Sequence, residues 1–233
     1  IVSSVIMPTG AGAANGAERA LEEALRQSGL NREDIDAVVT TGYGRTAISD
    51  GDKSITEITC HARGAHFLDS SVRTVVDIGG QDSKVIRLND DGSVKNFVMN
   101  DKCAAGTGRF LEMMAKTMEM SLDELSKVGL SYQEDITISS MCTVFAESEV
   151  VSLIAQNKAT DDIVHGLNKA VAAKTASLVK RVGGEEAYMM TGGVAQNQGL
   201  VRTLEERLGT KLVISDKSQL CGALGAALFA TEM

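Results

Sequence analysis

The chain has 233 residues, which is enough for one large domain or for two lobes that each bury a core. Its formal net charge of −8 and its 3% aromatic content, without tryptophan, argue against nucleic acid or an anionic membrane as a main partner. No apolar run approaches the ~18 residues of a membrane span and no basic-then-apolar signal segment opens the sequence, so we expect a cytoplasmic protein.

The first third of the sequence predicts alternating strands and helices. Residues 1–7 are typical of a strand, and Asn15 then caps a helix that Gly29 ends. Residues 36–41 predict a short buried strand, and a helix follows through residues 55–62.

The middle of the sequence predicts three strands that lie close together. They cover residues 72–78, 83–88 and 94–99, and the turn Asn89-Asp90-Asp91-Gly92 between the last two is a strong hairpin signal. A helix is then expected through residues 110–118.

The last part of the chain predicts mostly alternating helices and strands. These elements are a strand at 136–139, a helix at 145–156, a helix from 160 that ends at Gly183, a strand at 187–191, a helix through 200–208, a strand at 213–214 and a helix from 221. Hairpin strands followed by such alternation indicate a mixed sheet flanked by helices.

Four cysteines are scattered along the chain. Cys103 and Cys142 have no C-x-x-C partner, so one chain cannot build a four-thiolate metal site from them. Two chains related by a two-fold axis can do so, which suggests an iron–sulfur cluster shared between protomers. The alternative is that all four thiols, including Cys60 and Cys221, are reduced and buried.

A glycine-rich turn follows the strand Thr74-Val75-Val76-Asp77-Ile78. Gly79 and Gly80 have no side chains, so their backbone N–H groups can approach phosphate oxygens. Asp77 can hold Mg²⁺ through its waters, and Gln81 and Asp82 can position an attacking water. The alternative is an ordinary tight hairpin.

A second glycine pair, Gly192-Gly193, again lies between a strand and a helix. The two pairs resemble the phosphate and adenosine motifs of the superfamily of actin, hexokinase and heat-shock-chaperone ATPases. The last helix, with Gly222 and Gly225, resembles the second connecting segment of that superfamily. This resemblance implies an α/β, actin-like (ribonuclease H-like) ATPase fold of two lobes with mixed sheets flanked by helices.

Longer strings narrow the resemblance to one family. TGYGR, DIGGQD, NDKCAAGTGRF, CTVFAESEV, MTGGVAQN and GALGAA resemble the activators of 2-hydroxyacyl-CoA dehydratases, which form a family with the ATPase subunits of benzoyl-CoA reductase. The resemblance implies a homodimer with one 4Fe–4S cluster, to which each chain contributes Cys103 and Cys142. It also implies that ATP or ADP binds with Mg²⁺. The expected catalytic residues are Asp77, Gln81 and Asp82, and the expected nucleotide-binding glycines are Gly79, Gly80, Gly106, Gly108, Gly192, Gly193 and Gly222.

The same resemblance implies an ATP-dependent one-electron transfer. The electron would come from a ferredoxin or flavodoxin and pass to a 2-hydroxyacyl-CoA dehydratase, component D of the system. The alternatives are an ATPase subunit of benzoyl-CoA reductase, an amino-sugar or other small-molecule kinase of the superfamily, and an actin-type assembly protein.

The expected lobes divide the chain unequally. Lobe I takes residues 1–73 and 218–233, and lobe II takes residues 74–217 with the phosphate, cluster and adenosine motifs. Superfamily members begin with a strand-turn-strand that carries the first phosphate site. No such hairpin is apparent at the start of this sequence, so we expect that the N-terminal hairpin is missing.

Overall fold

The structure, a computed structural model, describes residues 1–49, 51–139 and 142–233. These residues form two compact units, Ile1–Ser70 with Leu220–Met233, and Ser71–Gln219. The α-helices are α1 (Ala13–Ser28), α2 (Glu57–Leu68), α3 (Gly108–Thr117), α4 (Leu122–Lys127), α5 (Thr143–Ala155), α6 (Thr160–Val182), α7 (Gln198–Leu208) and α8 (Cys221–Ala230). The strands are β1 (Val39–Thr40), β2 (Lys53–Ser54), β3 (Thr74–Ile78), β4 (Ser83–Leu88), β5 (Val94–Asn100), β6 (Tyr188–Thr191) and β7 (Leu212–Ile214).

The first unit is built around the close packing of α2 against α8, beside the parallel pair of β1 and β2. A Cβ added to Gly64 would collide with the carbonyl oxygen of Cys221, and one added to Gly225 would collide with that of Cys60. Glycine is required here because the two helix backbones nearly touch. Cys60 and Cys221 are fully buried at this crossing.

The second unit contains a five-stranded mixed sheet of order β5-β4-β3-β6-β7. β3, β4 and β5 pair antiparallel, whereas β3, β6 and β7 pair parallel. The core of this unit joins β3 and β6 to the buried faces of α3, α5 and α6. It includes Val76, Phe110, Ala146, Leu167 and Met190.

Two predicted strands are wrong. Residues 1–9 have no strand assignment, and 136–139 also lack one. Ile136 and Ile138 are nevertheless buried, and the carbonyl oxygen of Ile136 lies close to Gly166 of α6. Their apolar pattern therefore reflects packing on a helix, not pairing in a sheet, which also requires a backbone partner. The short helix α4 was missed, although the capping box of Ser121 and Glu124 marks its start.

Candidate functional site

The two glycine pairs lie at the same edge of the sheet. β3 and β6 are parallel neighbours, and Asp77 pairs in register with Thr191, so the turns after both strands emerge side by side. Gly192 has a φ of 85°, and a Cβ there would collide with the carbonyl oxygen of Ile78. The sheet thus brings together two exposed backbone segments that the sequence separates by more than 100 residues.

A cavity of about 350 Å³ opens at this edge, within the second unit. Gly80, Gly108 and Gly193 line it with backbone, while Leu111 and Val194 give it apolar walls. The volume lies at the lower end of the range for small-molecule pockets, which is roughly 300–1,000 Å³. Three of the predicted nucleotide-binding glycines therefore line one cavity, whose size and apolar walls suit a small-molecule ligand.

Asp77 and Asp82 share a buried ammonium group. Lys84 Nζ lies 3.1 Å from Asp77 Oδ2 and 2.7 Å from Asp82 Oδ1, and its side chain is 1% exposed. Thr191 donates a hydrogen bond of 2.9 Å from Oγ1 to the other oxygen of Asp77. Sequence reasoning missed Lys84 and Thr191, because their relation to Asp77 depends on the pairing of β3 with β4 and β6.

Gln81 and Asp82, the other two predicted catalytic residues, lie on the turn after β3 but face different surroundings. Gly79 N–H donates to the carbonyl oxygen of Asp82 at 3.0 Å, which closes the turn. Gln81 is exposed on this turn, whereas Asp82 points back to the buried Lys84. Asp82 thus shares the ammonium group of Lys84 with Asp77, whereas Gln81 faces solvent.

Cys103 is exposed in a loop that hydrogen bonds fix from both sides. The side-chain amide of Asn100 donates to the carbonyl oxygens of Cys103 and Ala105, at 2.9 and 3.0 Å. Thr107 Oγ1 donates to the carbonyl oxygen of Ala104 at 2.7 Å, and α3 begins at the next residue. Gly106 has a φ of 83°, and a Cβ there would lie 2.8 Å from Lys174 Cγ, so this glycine serves the loop itself.

Cys142 is exposed and occupies the N-cap position of α5. Glu149, two turns into that helix, accepts the backbone N–H of Ser139 through both carboxylate oxygens at 3.0 Å. Glu147 accepts a hydrogen bond of 3.1 Å from Thr117 Oγ1. Both carboxylates thus connect α5 to neighbouring segments.

The other two cysteines differ sharply from this exposed pair. Cys60 and Cys221 are 0% exposed, and burial raises the pKa of the Cys60 thiol. Gly222 follows Cys221 on α8 in the first unit, where an added Cβ would lie 2.9 Å from His61 Nε2. The close crossing of α2 and α8 is by itself a sufficient reason for glycine at this position.

The exposed thiols suit an iron–sulfur cluster by the chemistry of their donor set. Thiolate is the usual ligand of such clusters, and an anionic centre is stabilised beside the N-terminus of a helix such as α5. One protomer offers two accessible thiols, so four ligands require a second copy.

Among the described residues, no helix is both long and apolar enough to cross a membrane.

Comparison with known proteins finds relatives along the whole chain. The BadF/BadG/BcrA/BcrD ATPase family matches residues 1–230. The 2-hydroxyisocaproyl-CoA dehydratase activator of Clostridioides difficile is 50% identical over 232 residues, which cover 100% of this chain and 87% of the relative. A benzoyl-CoA reductase subunit of Thauera aromatica is 33% identical, with 91% of this chain and 77% of the relative covered.

Two solved structures resemble this chain closely. The activator of the 2-hydroxyisocaproyl-CoA dehydratase from Clostridium difficile with bound ADPNP is 50% identical, with a TM-score of 0.91 over 95% of this chain and 82% of that one. Component A of the (R)-2-hydroxyglutaryl-CoA dehydratase from Acidaminococcus fermentans is 44% identical, with a TM-score of 0.95 over 100% of this chain and 89% of that one. These similarities confirm the predicted fold class.

Proposed function

Because the chain belongs to the BadF/BadG/BcrA/BcrD ATPase family, we propose that it is the ATP-hydrolysing activator of a 2-hydroxyacyl-CoA dehydratase. The observation that carries this proposal is the division of the cysteines into an exposed pair, Cys103 and Cys142, and a buried pair. The identities support the same choice, since the dehydratase activator of C. difficile is 50% identical and the benzoyl-CoA reductase subunit is 33% identical.

The nucleotide binds in the second unit, in this proposal. The adenosine lies in the cavity against Gly193 and Val194, and the phosphates extend toward the backbone of Gly79 and Gly80. Asp77 holds Mg²⁺ through water, since Mg²⁺ usually keeps several of its waters. Gln81, on the exposed turn, orients the attacking water, and Asp82 keeps Lys84 in place beside Asp77.

Cys103 and Cys142 of two protomers hold one 4Fe–4S cluster, in this proposal. When bound, the cluster supplies a one-electron carrier of low potential. The outward face of α5 supports the homodimer, because it exposes Val144 and Phe145, which follow Cys142, and Val151 and Ile154 further along the helix, at between 43% and 67% exposure. An apolar patch of this kind is typical of a protein interface.

The electron comes from a ferredoxin or flavodoxin and passes to the dehydratase, component D. ATP hydrolysis accompanies this transfer, and we propose that the two units of the chain act as the two lobes of the ATPase. We place the protein in the cytoplasm, where thiols remain reduced and available as ligands.

Anaerobic purification with iron supplementation tests the proposal. We expect a brown dimer whose visible absorbance is lost in C103A and in C142A, with nucleotide binding retained. C60A and C221A are the matched controls and should keep the absorbance. A colourless protein under these conditions, or an unchanged spectrum in C103A, would overturn the cluster assignment. ATP consumption that depends on an added amino sugar would instead favour the kinase.

A further inference from the structure

Helix α3 is joined directly to the glycine turn that follows β3. The N–H of Gly108 donates to the carbonyl oxygen of Gly79 at 2.8 Å, and the N–H of Arg109 donates to that of Gly80 at 2.7 Å. A Cβ added to Gly108 would lie 3.1 Å from both Gly79 O and Gly80 Cα, so the helix start fits closely against the turn. A displacement of the turn is therefore passed to the first residues of α3.

The other end of α3 is joined to α5. The hydroxyl of Thr117, the last residue of α3, lies 3.1 Å from Glu147 Oε1 and 3.0 Å from the carbonyl oxygen of Met113. The carboxylate is the stronger acceptor for this single proton. Between the two ends, Phe110 and Met114 are buried in the same core as Ala146 of α5.

Each end of this connection lies next to a cysteine. Cys103 lies in the loop that leads into α3, and Cys142 occupies the N-cap position of α5, about one turn before Glu147. Glu149 holds the backbone of Ser139 on the other side of Cys142. Glu149 thus links Ser139 to α5, and Glu147 links α5 to α3.

We propose that Thr117 and Glu147 are positioning residues that carry the nucleotide-dependent displacement of α3 to Cys142. The inference rests on the proposed function, because it assigns this connection to the proposed cluster ligand. A nucleotide shifts the conformation only if it binds the two states differently, and the turn at Gly79 and Gly80 is where we place the γ-phosphate. Thr117 and Glu147 touch neither the nucleotide nor the cluster in this scheme.

Amide hydrogen exchange in the cluster-free protein tests this step. With MgADPNP in place of MgADP, we expect exchange to change both in residues 100–107 and in residues 142–149. T117V removes the hydroxyl and keeps the side-chain shape. It should retain the change at 100–107 and reduce the change at 142–149 at least fivefold, with ATP turnover unchanged. T117S keeps the hydroxyl and should respond as the wild type does. E147Q loses the charge that favours this acceptor over the carbonyl oxygen of Met113, so it should reduce the change at 142–149.

A second readout uses the iron-loaded dimer. In the wild type, the rate at which a chelator removes iron should differ between the ADPNP-bound and the ADP-bound protein. The ratio of these two rates should be closer to 1 in T117V and in E147L, although the response at Cys103 remains. A full response of residues 142–149 in T117V would overturn the inference, and so would a wild type without any nucleotide-dependent change there. A colourless wild type would overturn the cluster assignment but leave the exchange result to decide the inference.

Discussion

Replacing Lys84 by Met should destabilise the second unit strongly. The ammonium group lies 3.1 Å from Asp77 and 2.7 Å from Asp82, and all three side chains are at most 7% exposed. Removal of one partner from a buried ion pair costs about 3–5 kcal/mol, because it leaves an uncompensated charge. At ~2–4 °C per kcal/mol for a chain of this size, the melting temperature should fall by ~6–20 °C.

Urea unfolding followed by circular dichroism and by tyrosine absorbance measures this change. Tyr188 is buried on β6 of the same sheet, so its signal reports on the second unit. K84R keeps the charge and is the matched control. The double variant D82N/K84M neutralises one of the two carboxylates that lose the ammonium group, and it should recover ~0.5–3 kcal/mol relative to additivity. A loss below ~1 kcal/mol in K84M, or strict additivity in the double variant, would refute this reasoning.

Two further predictions concern the cysteines and a buried histidine. In the native protein without iron, an alkylating reagent should modify Cys103 and Cys142 readily, and it should reach Cys60 and Cys221 only after unfolding; equal labelling of all four would contradict the burial. Burial lowers the pKa of His165 despite the nearby carboxylate of Asp135, so the unfolded chain binds more protons just below pH 6.5. Unfolding free energy should therefore fall on acidification below that pH, by at most about 1.4 kcal/mol per pH unit, and H165N should flatten this slope.

The elements that could be predicted from sequence are those set by local chemistry. The turn at residues 89–92 determined the hairpin of β4 and β5, and Gly183 marked the end of α6. The strand predicted at residues 136–139 was wrong because burial against a helix gives the same apolar pattern as burial in a strand. The contact between Thr191 and Asp77 was missed for a different reason. It depends on β3 pairing with β6, and no local pattern reveals contacts between residues more than 100 positions apart.

The glycines of the site separate into two kinds, and only one kind points to a ligand. Gly192 has a positive φ and lies against the carbonyl oxygen of Ile78, so the fold itself requires it. In contrast, a Cβ on Gly193 would meet its nearest atom, Gln219 Nε2, at 3.6 Å, and among the described residues nothing lies within 4 Å of one on Gly80.

The space around these two positions in the ligand-free protein admits alanine at Gly80 and Gly193, whereas the nucleotide that we propose to bind there would require glycine. G193A should keep the stability of the wild type within ~0.5 kcal/mol and weaken ATP binding at least tenfold, whereas G192A should destabilise the protein. Calorimetric titration with ATP and urea unfolding of both variants measure the two effects. Unchanged ATP affinity in G193A would place the adenosine elsewhere, since the methyl group would project into the cavity where we place it.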